Sequence, residues 1–112
     1  VQGSEHPVVI GKEMGILRFY LCDNKGIQTS PNFNFSDKKW FTDSTKIGYN
    51  WSWRSYFYHL LAMEKTNPED LNHFVTSERY KDFDSDLLCK TLSTRIDINR
   101  ILLVDIQADG KK

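Results

Sequence analysis

The sequence lacks a long apolar run and an excess of charge of either sign. No apolar run is longer than that of Ile101–Val104, which is far shorter than the roughly 20 residues that are needed to cross a bilayer. Lysine and arginine together number 15, and aspartate and glutamate also number 15, so the net charge is zero. Because proteins that bind nucleic acids or membrane surfaces usually carry a basic excess, this balance argues against both kinds of partner.

Reactive and metal-binding residues are also few. The two cysteines, Cys22 and Cys89, lie in predicted strands at a spacing that does not suit a metal site, so we expect buried free thiols. The three histidines are scattered, and none lies beside an evident serine or cysteine nucleophile. The alternating aspartates at residues 82–86 lack the glycine and the distal glutamate of a calcium loop. The sequence therefore predicts no catalytic site, no metal site and no cofactor.

The chain also lacks an initiator methionine and a signal peptide, which suggests a mature fragment or a piece of a longer protein. Its 112 residues are enough for one domain with a single hydrophobic core. We therefore expect one domain over residues 1–112, with a short helical remnant at residues 1–15 and a C-terminal tail at residues 108–112.

What the sequence does contain is a dense aromatic stretch, Gly48–Tyr58, with six aromatic side chains around Arg54. One interpretation is a helix whose aromatic face forms the core while Arg54 extends along its own stem to solvent. The other is a pocket with aromatic walls, in which the guanidinium of Arg54 binds an anion, most plausibly a carboxylate with two oxygens. The two interpretations differ in the direction that Arg54 takes.

The hydrophobic pattern predicts an α+β fold, because two strands precede a helical region and three strands follow it. Alternating residues indicate a first hairpin, and short polar gaps indicate antiparallel connections between the last three strands. Residues 31–48 are expected to form an irregular or short-helical connection. The predicted strands are Ile16–Cys22, Ile27–Ser30, Phe74–Lys81, Leu88–Arg95 and Arg100–Ile106. One helix is predicted from an N-cap at Ser52 to about Lys65, and a second over a turn or two from Asn67.

Several segments carry a family likeness. They are Phe19–Asp23 with Gly26, Ser30–Phe33, Gly48–Phe57, Leu88–Ser93 and Ile101–Ile106. With them the chain resembles the extracytoplasmic PAS-like sensor domains, also called Cache or PDC domains, of bacterial signal transducers, above all those attached to cyclic-di-GMP modules of the GGDEF and EAL types. Gly48–Phe57 looks like the start of the pocket helix in C4-dicarboxylate sensor kinases, with Ser55 in place of a proline. The family's long first helix could fit only as a remnant before residue 16.

The resemblance implies a five-stranded antiparallel sheet with a solute bound between the sheet and the inserted helices. Arg54 would then hold a carboxylate, Tyr56 would offer a hydroxyl, and the remaining candidate ligand-binding residues are Trp51, Trp53, Tyr80, Thr91, Ser93 and Asp105. The structural alternative for each is equally simple, because tryptophans and Tyr56 can be core and Thr91 and Ser93 can be ordinary strand residues. A buried Asp105 would in any case need a partner, since an unpaired carboxylate is costly to bury.

The function that the resemblance implies is that of a periplasmic sensor domain of an inner-membrane protein. It would bind a small solute, reach the membrane only through flanking segments, and pass the signal to a cyclic-di-GMP cyclase or phosphodiesterase without catalysing a reaction itself. A homodimer is expected from the family. The alternative is a structural or dimerising module of the same shape whose aromatic side chains fill the pocket.

Overall fold

The computed structural model describes residues 15–69, 73–82 and 87–108. These residues form a seven-stranded antiparallel sheet and one α-helix, which confirms the α+β class and corrects the predicted strand number from five to seven. The elements are β1 Ile16–Cys22, β2 Asn32–Ser36, β3 Lys39–Asp43, α1 Ser55–Thr66, β4 Phe74–Thr76, β5 Tyr80–Lys81, β6 Leu88–Asp97 and β7 Arg100–Gln107. The expected remnant helix lies outside the described residues except for Gly15, as does the expected tail except for Ala108.

The first hairpin differs from the prediction. Residues Ile27–Ser30 were predicted as a strand, but they make only isolated bridges, from Gln28 to Cys22 and from Ile27 to Asn50. The reason lies in the turn after β1, where the carboxylate of Asp23 accepts the N–H groups of Lys25 and Ile27 at 2.9 and 3.0 Å. The returning chain stays beside the end of β1, where the Thr29 N–H donates to the Leu21 carbonyl at 2.9 Å, but continuous ladder pairing with β1 begins only at β2.

Residues 31–48 hold a β-hairpin where the sequence predicted an irregular connection. Strands β2 and β3 pair antiparallel around Asp37 and Lys38, which have positive φ angles of 53° and 65°. Two consecutive residues with positive φ are typical of the tight turns that match strand twist, although asparagine and glycine are the usual occupants. Trp40 and Phe41 therefore lie in an edge strand rather than in a helical excursion.

The strand order is β3-β2-β1-β7-β6-β4, with β5 also paired to β6. The last two predicted strands are confirmed as β6 and β7, and β7 lies between β1 and β6 at the centre of the sheet. The predicted strand Phe74–Lys81 is interrupted after β4. Ser77 causes the break, because its N–H donates to the Thr91 carbonyl at 2.8 Å while its side-chain oxygen accepts the Thr91 N–H at 2.9 Å.

Helix α1 packs on one face of the sheet and closes the core. It begins at Ser55 with Arg54 as its N-cap, so the N-cap predicted at Ser52 is two residues early and the predicted end near Lys65 is close. The helix does not begin earlier because hydrogen bonds hold Trp51 in a turn. Its backbone N–H donates to the Gly26 carbonyl, and its ring N–H donates to the Gln28 side chain. The core comprises Tyr20, Cys22, Trp51, Tyr56, Phe57, Leu60, Ile101 and Leu103.

The second helix predicted from Asn67 is a turn as far as residue 69, and the rest of it lies outside the described residues. Both cysteines are buried and free, as expected. Burial raises the pKa of Cys22 to about 12 and that of Cys89 to about 11, so both thiols are protonated at neutral pH. Across the described segments, no helix has the length and apolar character to span a membrane.

The other face of the sheet carries an aromatic cluster. Phe19 of β1 lies 5.0 Å from the ring of Phe33 and 5.4 Å from that of Trp40, measured between ring centroids. Leu102, Val104 and Ile106 share this face, because side chains alternate along a strand and Phe19 stands opposite Val104.

Candidate functional site

A row of polar side chains crosses the helix-covered face of the sheet. Strand register sets Arg18 of β1 opposite Asn34 of β2 and opposite Asp105 of β7, and it sets Asp105 opposite Thr91 of β6. Four neighbouring strands therefore each contribute one polar residue to the same line. Arg18 and Asp105 are only 7% and 4% exposed, so their charges must be compensated inside the protein.

Arg18 is at the centre of a buried ion cluster. Its two terminal nitrogens contact the two oxygens of Asp82 at 2.7 and 2.8 Å, which is a bidentate pair. One of these nitrogens also contacts Asp105 at 2.6 Å, and the Nε atom donates to Asn34 at 3.1 Å. Asp82 is 4% exposed and follows β5 directly. Arg18 thus contacts two carboxylates, one directly after β5 and one within β7, and its single positive charge balances only one of them when both are ionised.

The cluster continues through hydroxyl groups. The Thr91 hydroxyl donates to the second oxygen of Asp105 at 2.7 Å, and the Tyr80 hydroxyl lies 2.5 Å from the Thr91 hydroxyl. Burial raises the pKa of Asp105, although Arg18 and Thr91 oppose the shift. Burial, followed by the charge of Asp105, also raises the pKa of Tyr20 and Tyr80. Both phenols are therefore protonated at neutral pH.

A small cavity lies beside this cluster. Its volume is about 20 Å³, enough for one water molecule. The hydroxyls of Tyr20 and Tyr56 face each other near it at 3.4 Å. The lining residues are Arg18, Tyr20, Asn32, Lys46, Trp51, Arg54, Tyr56, Tyr80, Asp82 and Asp105.

Arg54 forms the boundary between this cavity and a larger open cleft. Its guanidinium carbon lies 4.5 Å from the ring centre of Tyr80, 4.8 Å from that of Trp53 and 5.6 Å from that of Tyr56. Such contacts attract a cation to the face of each ring and restrict its position. The cleft has a volume of about 390 Å³ and is lined by Arg54, Ser55, Tyr56, His59, Thr76, Ser77, Glu78, Arg79 and Tyr80.

The structure brings most of the predicted site residues together. Arg54, Tyr56, Trp51, Tyr80 and Asp105 all line the small cavity, and Thr91 reaches it through its bonds to Tyr80 and Asp105. The other two have different surroundings. Trp53 is 53% exposed and stacks on Arg54 from outside the cavity, while Ser93 donates to the Tyr56 carbonyl at 2.6 Å and so anchors α1 to β6.

Five cavity residues were missed by the sequence analysis, namely Arg18, Tyr20, Asn32, Lys46 and Asp82. Arg18 had a usable signal. It shares a strand face with Tyr20 and Cys22, and an arginine on an apolar face requires a buried carboxylate partner. No comparable signal in the sequence marked Asp82, because an aspartate at the end of a strand is common in turns. Within residues 15–69, 73–82 and 87–108, no group of three or more His, Cys, Asp or Glu is placed to bind a metal ion.

Comparison with known proteins gives the family. The model of the EAL-domain associated signalling protein domain matches residues 5–109. The chain belongs to this family. An EAL-domain associated signalling domain accompanies the catalytic EAL domain and is not that domain, which confirms the prediction that the chain is not itself an enzyme. The predicted link to EAL-type cyclic-di-GMP signalling is also confirmed.

One relative of this EAL-associated domain is the EAL-domain containing protein YkuI of Bacillus subtilis strain 168. The two are 28% identical over 89 residues, which cover 80% of this chain and 21% of YkuI. The crystal structure of YkuI, with an EAL domain and in complex with its substrate c-di-GMP and calcium, has the same fold, with a TM-score of 0.72 at 24% identity over 90% of this chain and 25% of that one. The chain thus spans about a fifth of its relative's length.

Proposed function

We propose that this EAL-associated domain binds a small carboxylate in the cleft beside Arg54 and that occupancy of the cleft regulates the cyclic-di-GMP output of the protein that contains it. The observation that carries the proposal is the position of Arg54, which borders an open cleft of about 390 Å³. Asp105, a carboxylate that lines the same small cavity as Arg54, bonds to Arg18 and Thr91.

The cleft suits a small anion in size and charge. Its volume falls at the lower end of the range for small-molecule sites, which is roughly 300–1,000 Å³. Among the residues that the structure describes, Arg54 and Arg79 line the cleft together with one carboxylate, that of Glu78. The first residues of α1 bring the positive end of the helix dipole to the same place. A guanidinium held between aromatic rings loses less freedom when it binds two carboxylate oxygens.

The position of the cleft gives binding a route to the rest of the domain. One wall is the start of α1, and the other is the segment from β4 to β5. Helix α1 is also tied to β6, through Ser93 at its start and through an ion pair of Glu64 with Arg95 at 2.8 Å near its end. A ligand that draws the two walls together would favour one packing of α1, and the shift can be no larger than its differential affinity for the two packings.

The test is a thermal-shift screen of the chain against small mono- and dicarboxylates, because a ligand of the native state raises its melting temperature. Arg54→Ala is expected to abolish the shift, and Arg54→Lys to weaken it, since lysine keeps the charge without the planar fork. Arg100→Ala is the matched control, as Arg100 is an exposed arginine paired with Asp97. An undiminished shift in Arg54→Ala would exclude this residue as the anion-binding group.

A second candidate function is the structural module with a filled pocket. The observation that favours it is the inner cavity, whose volume of about 20 Å³ excludes any solute larger than water, while Arg18 is bonded to two carboxylates of its own chain. If no compound in the screen shifts the melting temperature of the unaltered chain, this candidate becomes the better account.

The periplasmic location and the homodimer remain predictions. Reporter fusions to the protein that contains this chain, with one enzyme active only outside the cytoplasm and one active only inside it, test the location. Light scattering coupled to size-exclusion chromatography tests the dimer.

A further inference from the structure

We propose that the Arg18 guanidinium is a second carboxylate-binding group, and that Asp82 occupies it as an internal ligand which a solute carboxylate can replace. This inference rests on the proposed function of the cleft and adds to it a mechanism of opening. Asp82 binds Arg18 through both oxygens, at 2.7 and 2.8 Å. Two parallel bonds of this kind are how a guanidinium binds a free carboxylate, so a solute can offer Arg18 the same contacts.

The two carboxylates on Arg18 differ in how firmly the fold holds them. Asp105 lies within β7, which is paired along its length with β1 on one side and with β6 on the other. Asp82 follows β5, a strand of two residues that pairs with β6 alone, and its N–H bonds to the Leu87 carbonyl at 2.8 Å. Asp82 can therefore leave with its short strand, whereas Asp105 cannot leave without breaking the centre of the sheet.

The hydrogen bonds of Arg18 make this opening depend on an anion. If Asp82 left without replacement, Arg18 would keep the carboxylate of Asp105 but would lose two charge-assisted hydrogen bonds in a buried position, which is unfavourable. If a solute carboxylate takes the same position, the number of buried charges is unchanged. The open arrangement is therefore favoured when an anion occupies the fork of Arg18.

Tyr80 connects this exchange to the cleft. It lies in β5, two residues before Asp82, and it lines both the small cavity and the open cleft. Its ring covers Arg54 at 4.5 Å, and its hydroxyl contacts Thr91. Displacement of β5 would move this ring and join the two volumes, so that a solute entering beside Arg54 reaches Arg18.

The first test is chemical rescue by acetate, the group that Asp82→Ala removes. Asp82→Ala is expected to lower the melting temperature, and sodium acetate is expected to raise it again by roughly 5 °C more than sodium chloride of equal ionic strength. Asp82→Asn keeps the side-chain volume and leaves no room for acetate, so it should show no such difference. Asp43→Ala is the matched control, at a partly exposed aspartate whose side chain accepts bonds from Thr45 in the contacts described. Equal responses of Asp82→Ala to acetate and chloride would overturn the proposal.

The second test needs no variant and decides the matter if Asp82→Ala does not fold. Hydrogen exchange of the amides of residues 80–82 is measured in the unaltered chain, in acetate and in chloride at equal ionic strength. Faster amide hydrogen exchange in acetate is expected, because displacement of Asp82 releases β5. An unchanged rate of hydrogen exchange would count against the replacement of Asp82 by acetate.

The outcomes separate the two proposals. In one outcome, carboxylates raise the melting temperature only when Arg54 is present, acetate does not rescue Asp82→Ala, and hydrogen exchange of residues 80–82 is unchanged. This outcome would leave the cleft as the binding site and exclude Asp82 as an internal ligand. Rescue of Asp82→Ala without any carboxylate shift in the unaltered chain would assign anion binding to Arg18 and remove the proposed role of Arg54.

Discussion

Two glycines with nearly the same backbone conformation have different surroundings. Gly26 and Gly48 have φ angles of +90° and +91°. A Cβ atom at Gly26 would lie 2.8 Å from the backbone nitrogen of Ser52, whereas a Cβ atom at Gly48 would meet nothing within 4 Å. Gly48→Ala should therefore cost the strain of a positive φ alone, about 1–2 kcal/mol of unfolding free energy. Gly26→Ala should cost more, because the Ser52 backbone must also move. Urea unfolding of both variants measures the difference, and equal losses would contradict the close approach at Gly26.

Asp105 should give the stability of the domain a pH dependence of known sign. Since burial raises the pKa of Asp105, the folded state binds this proton more tightly than the unfolded state does. Stability therefore falls as the pH rises above about 4, through the interval between the pKa of the unfolded state and that of the folded state. Asp105→Asn cannot titrate. The unfolding free energy of Asp105→Asn, relative to that of the unaltered chain, should therefore rise across that interval by about 1.4 kcal/mol for each unit of pKa shift. Urea unfolding at a series of pH values tests this, and parallel curves for the two proteins would contradict it.

At the level of single residues, sequence reasoning found side chains with unusual chemistry for their context and missed their partners. Arg54 stood out in an aromatic stretch, and Asp105 in an apolar strand, and both line the cavity. Asp82 lies 64 positions from Arg18 along the chain. Its role comes from the position of β5 on β6, which no local pattern contains.

Helix α1 depends on a few side chains for its attachment to the sheet. Leu60 is fully buried in the core, while Met63 on the same helix is 38% exposed. Leu60→Ala should lower the unfolding free energy by about 2–5 kcal/mol, because it removes buried surface and leaves a cavity. Met63→Ala is the control, with an expected change within about 0.5 kcal/mol. Thermal or urea unfolding measures both losses. Equal losses of unfolding free energy in Leu60→Ala and Met63→Ala would show that Leu60 does not anchor the helix to the core.

Elements with regular alternation or long periodicity were predictable, and those shaped by a turn or a cross-strand bond were not. Strands β1, β6 and β7 alternate clearly and were placed within one or two residues of their true ends. The β2–β3 hairpin was missed because Asp37 and Lys38 take positive φ angles that favour asparagine or glycine. The break between β4 and β5 arises from the bonds of Ser77 with Thr91, a contact across strands.

The sheet as a whole should open from its edges inward. Strand β7 has a hydrogen-bonded neighbour on each side and contributes the fully buried Ile101 and Leu103, while β5 pairs with β6 alone. The amides of β7 should therefore exchange with solvent most slowly, at the rate set by global unfolding, and those of β5 much faster through local opening. Residue-resolved hydrogen exchange measures this order. Equal protection of β5 and β7 would mean that the domain opens only as a single unit.

The place of β7 has a consequence for the synthesis of the protein. The strand at the centre of the sheet is the last of the described strands to leave the ribosome, and its partner β1 is the first. Until residue 107 has been made, β1 and β6 each present an unpaired edge, and such edges invite pairing with other chains. The nascent domain therefore cannot complete its sheet in stages from its N-terminus. It must wait for one late strand that joins its two halves, and pairings so distant in sequence also make folding slow.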